Sequence, residues 1–147
     1  MLTLPHIIVG AAIGSQIPNP YAVGAMSFGS HFVLDSIPHW QEPLAPYIPT
    51  KATYIRIAIE IIVSLGLLYY LTNAYPEKAF TMWVGAIFSP LPDTDSFIVY
   101  RPKLLKNKLL SEWWNFHCRI QRETASLLGL IPQMVVIIIS LVIIFNQ

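Results

Sequence analysis

Residues 54–75 read YIRIAIEIIVSLGLLYYLTNAY, and this stretch decides the class of fold. It is long and apolar enough for a membrane-spanning helix, which needs about 20 mostly apolar residues. Its only charged side chains are Arg56 and Glu60, which lie four positions apart and can pair on one face of a helix. The segment therefore predicts a helix that crosses a bilayer.

The composition of the whole chain agrees with this interpretation. The 147 residues are 54% hydrophobic and only 12% charged, and the mean hydropathy is +0.55. A soluble domain carries about 25% charged residues. The length suits one domain, residues 1–147, and we expect an all-α integral membrane bundle. The bundle would contain about five transmembrane or membrane-embedded helices and one amphipathic interfacial helix.

Proline, glycine and charge divide the chain into segments. The turn Pro18-Asn19-Pro20 splits residues 4–37 into a short helical hairpin. The expected longer spans are 54–75, 79–100 and 124–145, with Pro90 and Pro92 breaking the second of these near its end. Residues 101–122 alternate basic with apolar and aromatic side chains, which predicts an amphipathic segment in the membrane interface.

The distribution of positive charge predicts an orientation. Lys and Arg mark the cytoplasmic side of a membrane, so we place residues 101–122 there. Of the nine Lys and Arg residues, only Lys78 then falls on the other side. This orientation puts the C-terminus outside the cell membrane (the inner membrane in bacteria). It also gathers all four histidines at the cytoplasmic face.

Two polar clusters carry the expected site. His31 and Asp35 are four positions apart, so they share one helix face in a metal-ligand arrangement, although a simple buried His–Asp hydrogen bond is the alternative. Asp93 and Asp95 follow a proline-broken helix end, where a cation would offset their charge; a solvated capping turn is the alternative. Intramembrane ionisable groups are usually functional.

The complete set of candidate residues follows from these clusters. Asp35 and His117 are the candidate catalytic residues, and Arg119 and Arg122 could bind a substrate phosphate or simply set the topology. His39 lies beyond Pro38 and leaves the regular helix face. The expected ligands of a divalent metal are His6, His31, Asp35, His39, Asp93, Asp95 and His117. Zinc is the first expectation, with Mn, Fe or Mg as alternatives.

The segments Leu4-Pro5-His6, Ser30–Asp35 with Pro38-His39, and Leu91–Asp95 resemble a family of small membrane-bound, metal-dependent hydrolases of bacteria and archaea. That family is distantly similar to the zinc-dependent phospholipase C and single-strand nuclease superfamily. The resemblance implies a His/Asp metal site inside a helical bundle. The chain departs from the family pattern at Ser96, where a histidine is usual, and at residues 116–119, which leaves one metal or a different ligand set.

These observations lead to a first functional expectation and two alternatives. The first is a membrane-embedded metal-dependent hydrolase that cleaves an ester or phosphoester, such as a lipid headgroup or lipid-linked phosphate, at the cytoplasmic face. A non-catalytic, metal-stapled scaffold or binding protein is the main alternative, and a metal-ion transporter ranks third. Membrane lipid is the expected partner. No nucleic-acid partner is expected, because the basic segment is explained by topology.

Overall fold

The computed structural model describes residues 1–42, 49–96, 101–124 and 127–146. Within these ranges the regular structure is helical, and its one β feature is an isolated bridge between His39 and Glu123. The expected all-α class is therefore confirmed. The α-helices are α1 (Thr3–Gln16), α2 (Pro20–Asp35), α3 (Lys51–Ala74), α4 (Ala79–Phe88), α5 (Pro102–Leu105), α6 (Lys108–Ile120) and α7 (Leu130–Phe145), with 3₁₀ turns at Pro76–Lys78, Leu91–Asp95 and Leu127–Gly129.

Local chemistry explains where several helices begin and end. The Asn19 side chain accepts hydrogen bonds from the N–H groups of Tyr21 and Ala22, and Pro20 occupies the first turn of α2. Thr50 forms a capping box with Thr53 at the start of α3. Helix α4 ends at Phe88 because the two prolines that follow cannot continue it, and the chain passes into a 3₁₀ turn.

Helix α1 lies at the centre and contacts α2, α3, α4 and α7. Its close approach to α4 depends on glycine. A Cβ atom added to Gly10 would overlap the Gly85 carbonyl, and one added to Gly14 would overlap the Thr81 carbonyl. Small residues that let helix backbones touch are typical of helix packing in membranes. The apolar core around this contact comprises Ile7, Ile8, Ala11, Ala12, Leu68, Leu71, Met82, Ala86 and Ile144.

The main helices alternate in direction, so the same end of the bundle receives most of the polar side chains. His6, near the start of α1, lies 3.3 Å from Asp35 at the end of α2. Glu60 of α3 accepts the backbone N–H of Leu4 at 3.0 Å. At the opposite end, the Gln16 side chain reaches the Ile143 carbonyl at 3.4 Å. The alternation brings the first turn of one helix beside the last turn of the next.

Helix length supports only part of the expected membrane plan. Among the described residues, α3 (Lys51–Ala74) alone is long and apolar enough to cross a membrane; α7 is strongly apolar but shorter. The expected span 79–100 stops at Phe88, and residues 97–100 lie outside the described residues. The expected span 124–145 becomes α-helical only at Leu130, and its residues 125–126 also lie outside the described part. The expected integral membrane bundle of about five transmembrane or membrane-embedded helices is therefore not supported by helix length in the described residues.

The distribution of side chains is nevertheless unusual for a protein in water. Large apolar side chains lie exposed along α3 and α7, whereas several buried side chains are polar. The exposed set includes Tyr54, Ile55, Ile59, Ile62, Tyr69, Tyr70, Ile131, Met134, Ile138, Ile139, Val142 and Phe145. Four of the buried hydroxyl groups, those of Ser15, Ser64, Thr72 and Ser140, donate hydrogen bonds to carbonyls of their own helices.

Candidate metal centre

Four side chains from three elements converge at the polar end of the bundle: His31, Asp35, Asp93 and His117. The first two occupy the last turns of α2, where the spacing of four places them on one face. Asp93 comes from the 3₁₀ turn after α4, and His117 from α6. Ligand atoms of all four lie within 4.8 Å of one another. The structure thus contains a largely buried His–Asp group able to hold a metal ion.

The distances within this group are those of a small coordination shell. The Nε2 atoms of His31 and His117 are 3.0 Å apart, and they lie 3.2 and 3.1 Å from Asp35 Oδ2. Asp93 Oδ1 is 3.5 Å from His31 Nε2 and 3.9 Å from His117 Nε2. A tetrahedral zinc ion with metal–ligand bonds of about 2.0–2.2 Å separates its ligands by about 3.3–3.6 Å. The side chains therefore fit such an ion with only small adjustments.

The second nitrogen of each histidine identifies which atom faces the centre. His31 Nδ1 donates to the Ser89 carbonyl at 2.9 Å, and His117 Nδ1 donates to Asp95 Oδ2 at 2.7 Å. A ring that donates from Nδ1 has Nε2 as its remaining ligand atom, and in both histidines this atom faces the other ring and the Asp35 carboxylate. Metal-binding histidines almost always donate their other N–H to a carbonyl or carboxylate in this manner.

A proton relieves the conflict between these electron-rich atoms when no metal is bound. Burial disfavours a charged His117, but its hydrogen bonds to Asp35 and Asp95 outweigh that effect and raise the pKa of His117 to about 9. A divalent cation would compete for the same position as this proton. The centre is thus arranged to attract positive charge, whether the charge comes from a proton or from a metal ion.

The other oxygen of Asp35 points away from the group, toward the Met1 ammonium group and His6. Asp35 Oδ1 accepts a hydrogen bond from the Met1 ammonium group at 2.7 Å and lies 3.3 Å from His6 Nε2. The His6 ring is completely buried and stacks on His31, with ring centroids 4.3 Å apart. Neither nitrogen of His6 has a hydrogen-bond partner within the described residues. His6 therefore lies beside the four-residue group without belonging to it.

Backbone pairing and aromatic contacts hold α2 and α6 in register. The Arg122 N–H donates to the Asp35 carbonyl at 3.0 Å, and the His39 N–H donates to the Arg122 carbonyl at 3.0 Å. Phe32 of α2 packs against Trp113 and Phe116 of α6, with ring centroids 5.7 and 5.5 Å away. These contacts fix the position of His117 relative to Asp35.

The remaining expected ligands occupy other positions. Asp95 is buried and bonded to His117 Nδ1, so it orients a ligand rather than facing the centre. His39 donates from Nδ1 to the Ile37 carbonyl at 2.8 Å and lies in the pairing between two chain segments. It leaves the group because Pro38 turns the chain away from the face that His31 and Asp35 share.

A cavity of about 310 Å³ opens beside the centre, and Asp93 and His117 are part of its wall. The Asp93 side chain is 35% exposed, whereas those of His31 and Asp35 are completely buried. Arg119 and Arg122, the expected phosphate ligands, are exposed and do not line this cavity. The cavity is lined by Met1, Leu2, Thr3, Gln41, Glu42, Ile57, Glu60, Pro90, Asp93, Thr94, Asp95, Ser96, Trp114, His117 and Gln121.

Glu60 is the functional candidate that the sequence interpretation missed. Its spacing from Arg56 would allow the two to pair, but Arg56 instead forms a two-pronged ion pair with Glu42. Glu60 turns inward, binds the N–H of Leu4 at the start of α1 and lines the cavity. An acid in the middle of an apolar helix was the available signal, since such a residue is seldom placed there without a role.

Comparison of the chain with protein-family models, with curated proteins and with solved structures gives no match. Interpretation of the centre therefore depends on its own geometry.

Proposed function

We propose that this chain is a membrane-embedded, metal-dependent hydrolase that acts on an ester or phosphoester. The observation that carries the proposal is the convergence of two histidine lone pairs and a carboxylate oxygen at 3.0–3.2 Å. Both rings are held in orientation by hydrogen bonds from their Nδ1 atoms, to the Ser89 carbonyl and to Asp95. Three electron-rich atoms at these distances need a proton or a metal cation between them, and two imidazoles with two carboxylates suit zinc.

Membrane embedding is supported by the reversed distribution of polarity. A soluble monomer rarely exposes apolar patches larger than a few hundred square ångströms, yet α3 and α7 present apolar side chains along much of their length. Buried serine and threonine hydroxyls bonded within their own helices suit an environment without water. In this arrangement α3 crosses the bilayer, and the shorter helices are embedded beside it.

The position of the basic segment supports the expected orientation. Helices α5 and α6 lie at the same end of the bundle as the candidate centre, because His117 belongs to α6. Lys103, Lys106 and Lys108 are exposed there. Positive charge on the cytoplasmic side would place the centre at the cytoplasmic face, at the level of the lipid headgroups.

The cavity is where a substrate would reach the centre. A divalent ion held by the four side chains would supply an activated water molecule and polarise the scissile ester. Hydrolysis of a phosphoester joins the water oxygen to phosphorus, breaks the bond from phosphorus to the alcohol oxygen and moves a proton from water to that oxygen. Asp93 is the ligand on the cavity side and the most widely separated from the histidines. It is therefore the ligand positioned to make room for a substrate.

The same geometry favours one alternative, a structural metal that staples the helices. Four protein ligands fill every position around a tetrahedral ion, whereas catalytic zinc sites usually keep one position open. Under this alternative Asp93 stays bound, and the ion contributes to folding only.

Elemental analysis of the purified protein tests the metal site directly. Wild-type protein expressed with zinc should contain stoichiometric metal, and the variants Asp35→Ala and Asp93→Ala should contain less. Glu112→Ala is the matched control, because Glu112 is an exposed acid of α6 whose ion-pair partner among the described residues is Lys108. Metal-free wild-type protein would refute the proposal, whereas equal metal content in all variants would assign the two aspartates to a structural role.

Hydrolysis assays then separate the enzyme from the scaffold. Metal-loaded protein in detergent is assayed with bis(p-nitrophenyl) phosphate and with mixed micelles of phospholipid. An enzyme should lose turnover in Asp93→Asn while keeping much of its metal. A stapled scaffold should show no turnover above a metal-free control, together with a lower melting temperature after chelation.

A further inference from the structure

We propose that helices α5 and α6 form a docking surface for anionic phospholipid headgroups, outside the cavity and apart from the metal centre. The lipid bound there is not a substrate and is not cleaved. The inference rests on the membrane embedding in the proposed function and not on hydrolysis. The surface, named here the α5–α6 surface, comprises the exposed side chains of Lys103, Leu104, Leu105, Lys106, Lys108, Leu109, Phe116 and Arg119.

Positive charge is concentrated in this part of the chain and is largely unpaired. Six of the nine Lys and Arg residues lie between positions 101 and 122, where Glu112 is the one acid, although the net charge of the whole chain is only +1. Lys108 is 87% exposed and lies 3.9 Å from Glu112. Within the ranges that the structure describes, no other Lys or Arg of this stretch has an ion-pair partner. An anionic membrane surface would supply the missing negative charge.

The faces of α6 show how this charge is presented. Lys108 and Arg119 are eleven positions apart, about three helical turns, so they share one exposed face. Leu109 and Phe116, which are 76% and 48% exposed, share a neighbouring face. His117 points into the bundle. A helix with a charged face beside an apolar one lies in the membrane interface, with its apolar side chains against the acyl chains and its cations at the level of the lipid phosphates.

The apolar face of α6 continues onto the bundle. Trp113 packs against Phe28 and Phe32 of α2, with ring centroids 6.1 and 5.7 Å away. The next residue of α2, Val33, is 65% exposed. An exposed apolar area rimmed by charged residues is typical of a membrane contact. Because α2 holds α6 in place, the headgroup phosphates would meet the lysines of a folded surface and not those of a loose tail.

Aliphatic neighbours of the lysines favour a lipid over a nucleic acid as the partner. Leu104 and Leu105 lie between Lys103 and Lys106, and each is 37% exposed. Surfaces that bind single-stranded nucleic acid combine cations with aromatic rings on which bases stack. Leucine side chains beside lysines suit acyl chains below a layer of phosphates.

Relative lipid affinity tests the inference on the purified full chain. The protein is reconstituted in phosphatidylcholine bilayers that contain increasing fractions of brominated phosphatidylglycerol or brominated phosphatidylcholine, whose bromine atoms quench nearby tryptophans. Trp113 and Trp114 both lie on α6 and report this contact. In the wild type at low salt we expect about a fivefold preference for phosphatidylglycerol, which should fall below about twofold at about 1 M NaCl.

Two triple variants separate charge from structure. Lys103→Gln/Lys106→Gln/Lys108→Gln should reduce the preference for phosphatidylglycerol below about twofold. Lys103→Arg/Lys106→Arg/Lys108→Arg keeps the charge at the same positions and should keep the preference. Lys51→Gln removes an exposed positive charge at the start of α3, outside the α5–α6 surface, and should also keep it.

The depth of α6 in the bilayer gives a second measurement, which does not depend on the folding of the glutamine variant. A nitroxide is attached to Leu109→Cys or to Asn115→Cys, each in a Cys118→Ser background. Asn115 is exposed on the same side of α6 as Lys108. The label at position 109 should be more accessible to oxygen than to a water-soluble nickel complex, and the label at position 115 should show the reverse.

The outcomes separate this inference from the proposed hydrolase. Equal affinity for the two lipids in the wild type would overturn the inference, as would a full preference in a folded glutamine variant or water exposure of both labels. Binding of a short single-stranded RNA without a preference for phosphatidylglycerol would overturn it in favour of a nucleic-acid partner. Metal-free protein that keeps the lipid preference would refute the hydrolase and leave the α5–α6 surface supported. Protein that stays monomeric in solution without detergent would overturn both.

Discussion

Replacement of Asp95 by asparagine and by alanine tests whether His117 is a metal ligand that Asp95 orients through a hydrogen bond. Asp95 accepts the His117 Nδ1–H at 2.7 Å and is itself buried. Partners of metal-bound histidines typically contribute 10- to 100-fold to metal affinity. The two variants divide that contribution into a part due to charge and a part due to geometry.

Asparagine retains an oxygen that can accept the Nδ1–H, so it removes the charge but keeps the ring oriented. Loss of the charge also lowers the pKa of His117, which reduces competition from the proton and offsets part of the loss at neutral pH. We therefore expect about a tenfold weaker affinity for zinc, or about 1.4 kcal/mol. Alanine removes the acceptor altogether and should approach 100-fold, or about 2.7 kcal/mol.

The affinities are measured by competition with a zinc-binding dye, and circular dichroism confirms that each variant is folded. Glu112→Gln, a change at an exposed side chain of the same helix, should shift the affinity by less than about twofold. Affinities within twofold of wild type for both Asp95 variants would refute the placement of His117 in the metal shell. So would a larger loss in the asparagine variant than in the alanine variant.

Three further predictions concern the packing of α1 on α4, the pH dependence of metal binding and the orientation in the membrane. Gly10→Ala should destabilise the fold by about 1–3 kcal/mol, because its Cβ would meet the α4 backbone. The control Gly29→Ala has open space around it and should be neutral or stabilising by up to about 1 kcal/mol. Melting temperatures in detergent should move by roughly 2–4 °C per kcal/mol, and equal shifts in the two variants would contradict the packing of α1 on α4. Zinc affinity should rise about tenfold per pH unit from pH 6 to 8, since His117, with a pKa of about 9, must release a proton when the metal binds; a flat profile in the same dye competition would argue against this ligand. Cys118, an exposed thiol on α6, should react with a membrane-impermeant maleimide in inside-out vesicles and not in intact cells, and labelling of intact cells would reverse the proposed orientation.

Sequence patterns were enough to predict the helical class and to include all four residues of the group in a larger set of seven expected ligands. His31 and Asp35 meet because a spacing of four is a property of any α-helix, independent of its neighbours. Pro90 and Pro92 correctly predicted a break in the helix before Asp93, although α4 already ends at Phe88. Alternation of helix direction then placed the first turn of α1 beside the last turn of α2.

Other features depended on contacts that no local pattern encodes. Asp93 and Asp95 differ by two positions, and only the geometry of the 3₁₀ turn decides that Asp93 joins the centre while Asp95 supports His117. The partner of Arg56 is Glu42, which follows α2 rather than lying on the same helix. Helix spacing alone does not fix such an ion pair, because a residue distant in sequence can compete with the neighbour four positions away.

The sequence by itself determined that this is an all-helical chain with a polar cluster of histidines and aspartates, since helix periodicity and proline breaks act over a few residues. The tertiary structure alone decided that α1 lies at the centre, which four of the seven expected ligands form the group, and that Glu60 faces the cavity. These features arise where backbones approach within contact distance, as Gly10 and Gly85 do, and where side chains from separate helices share one buried space. Such convergence depends on packing between segments distant in sequence, and packing is a property of the whole fold.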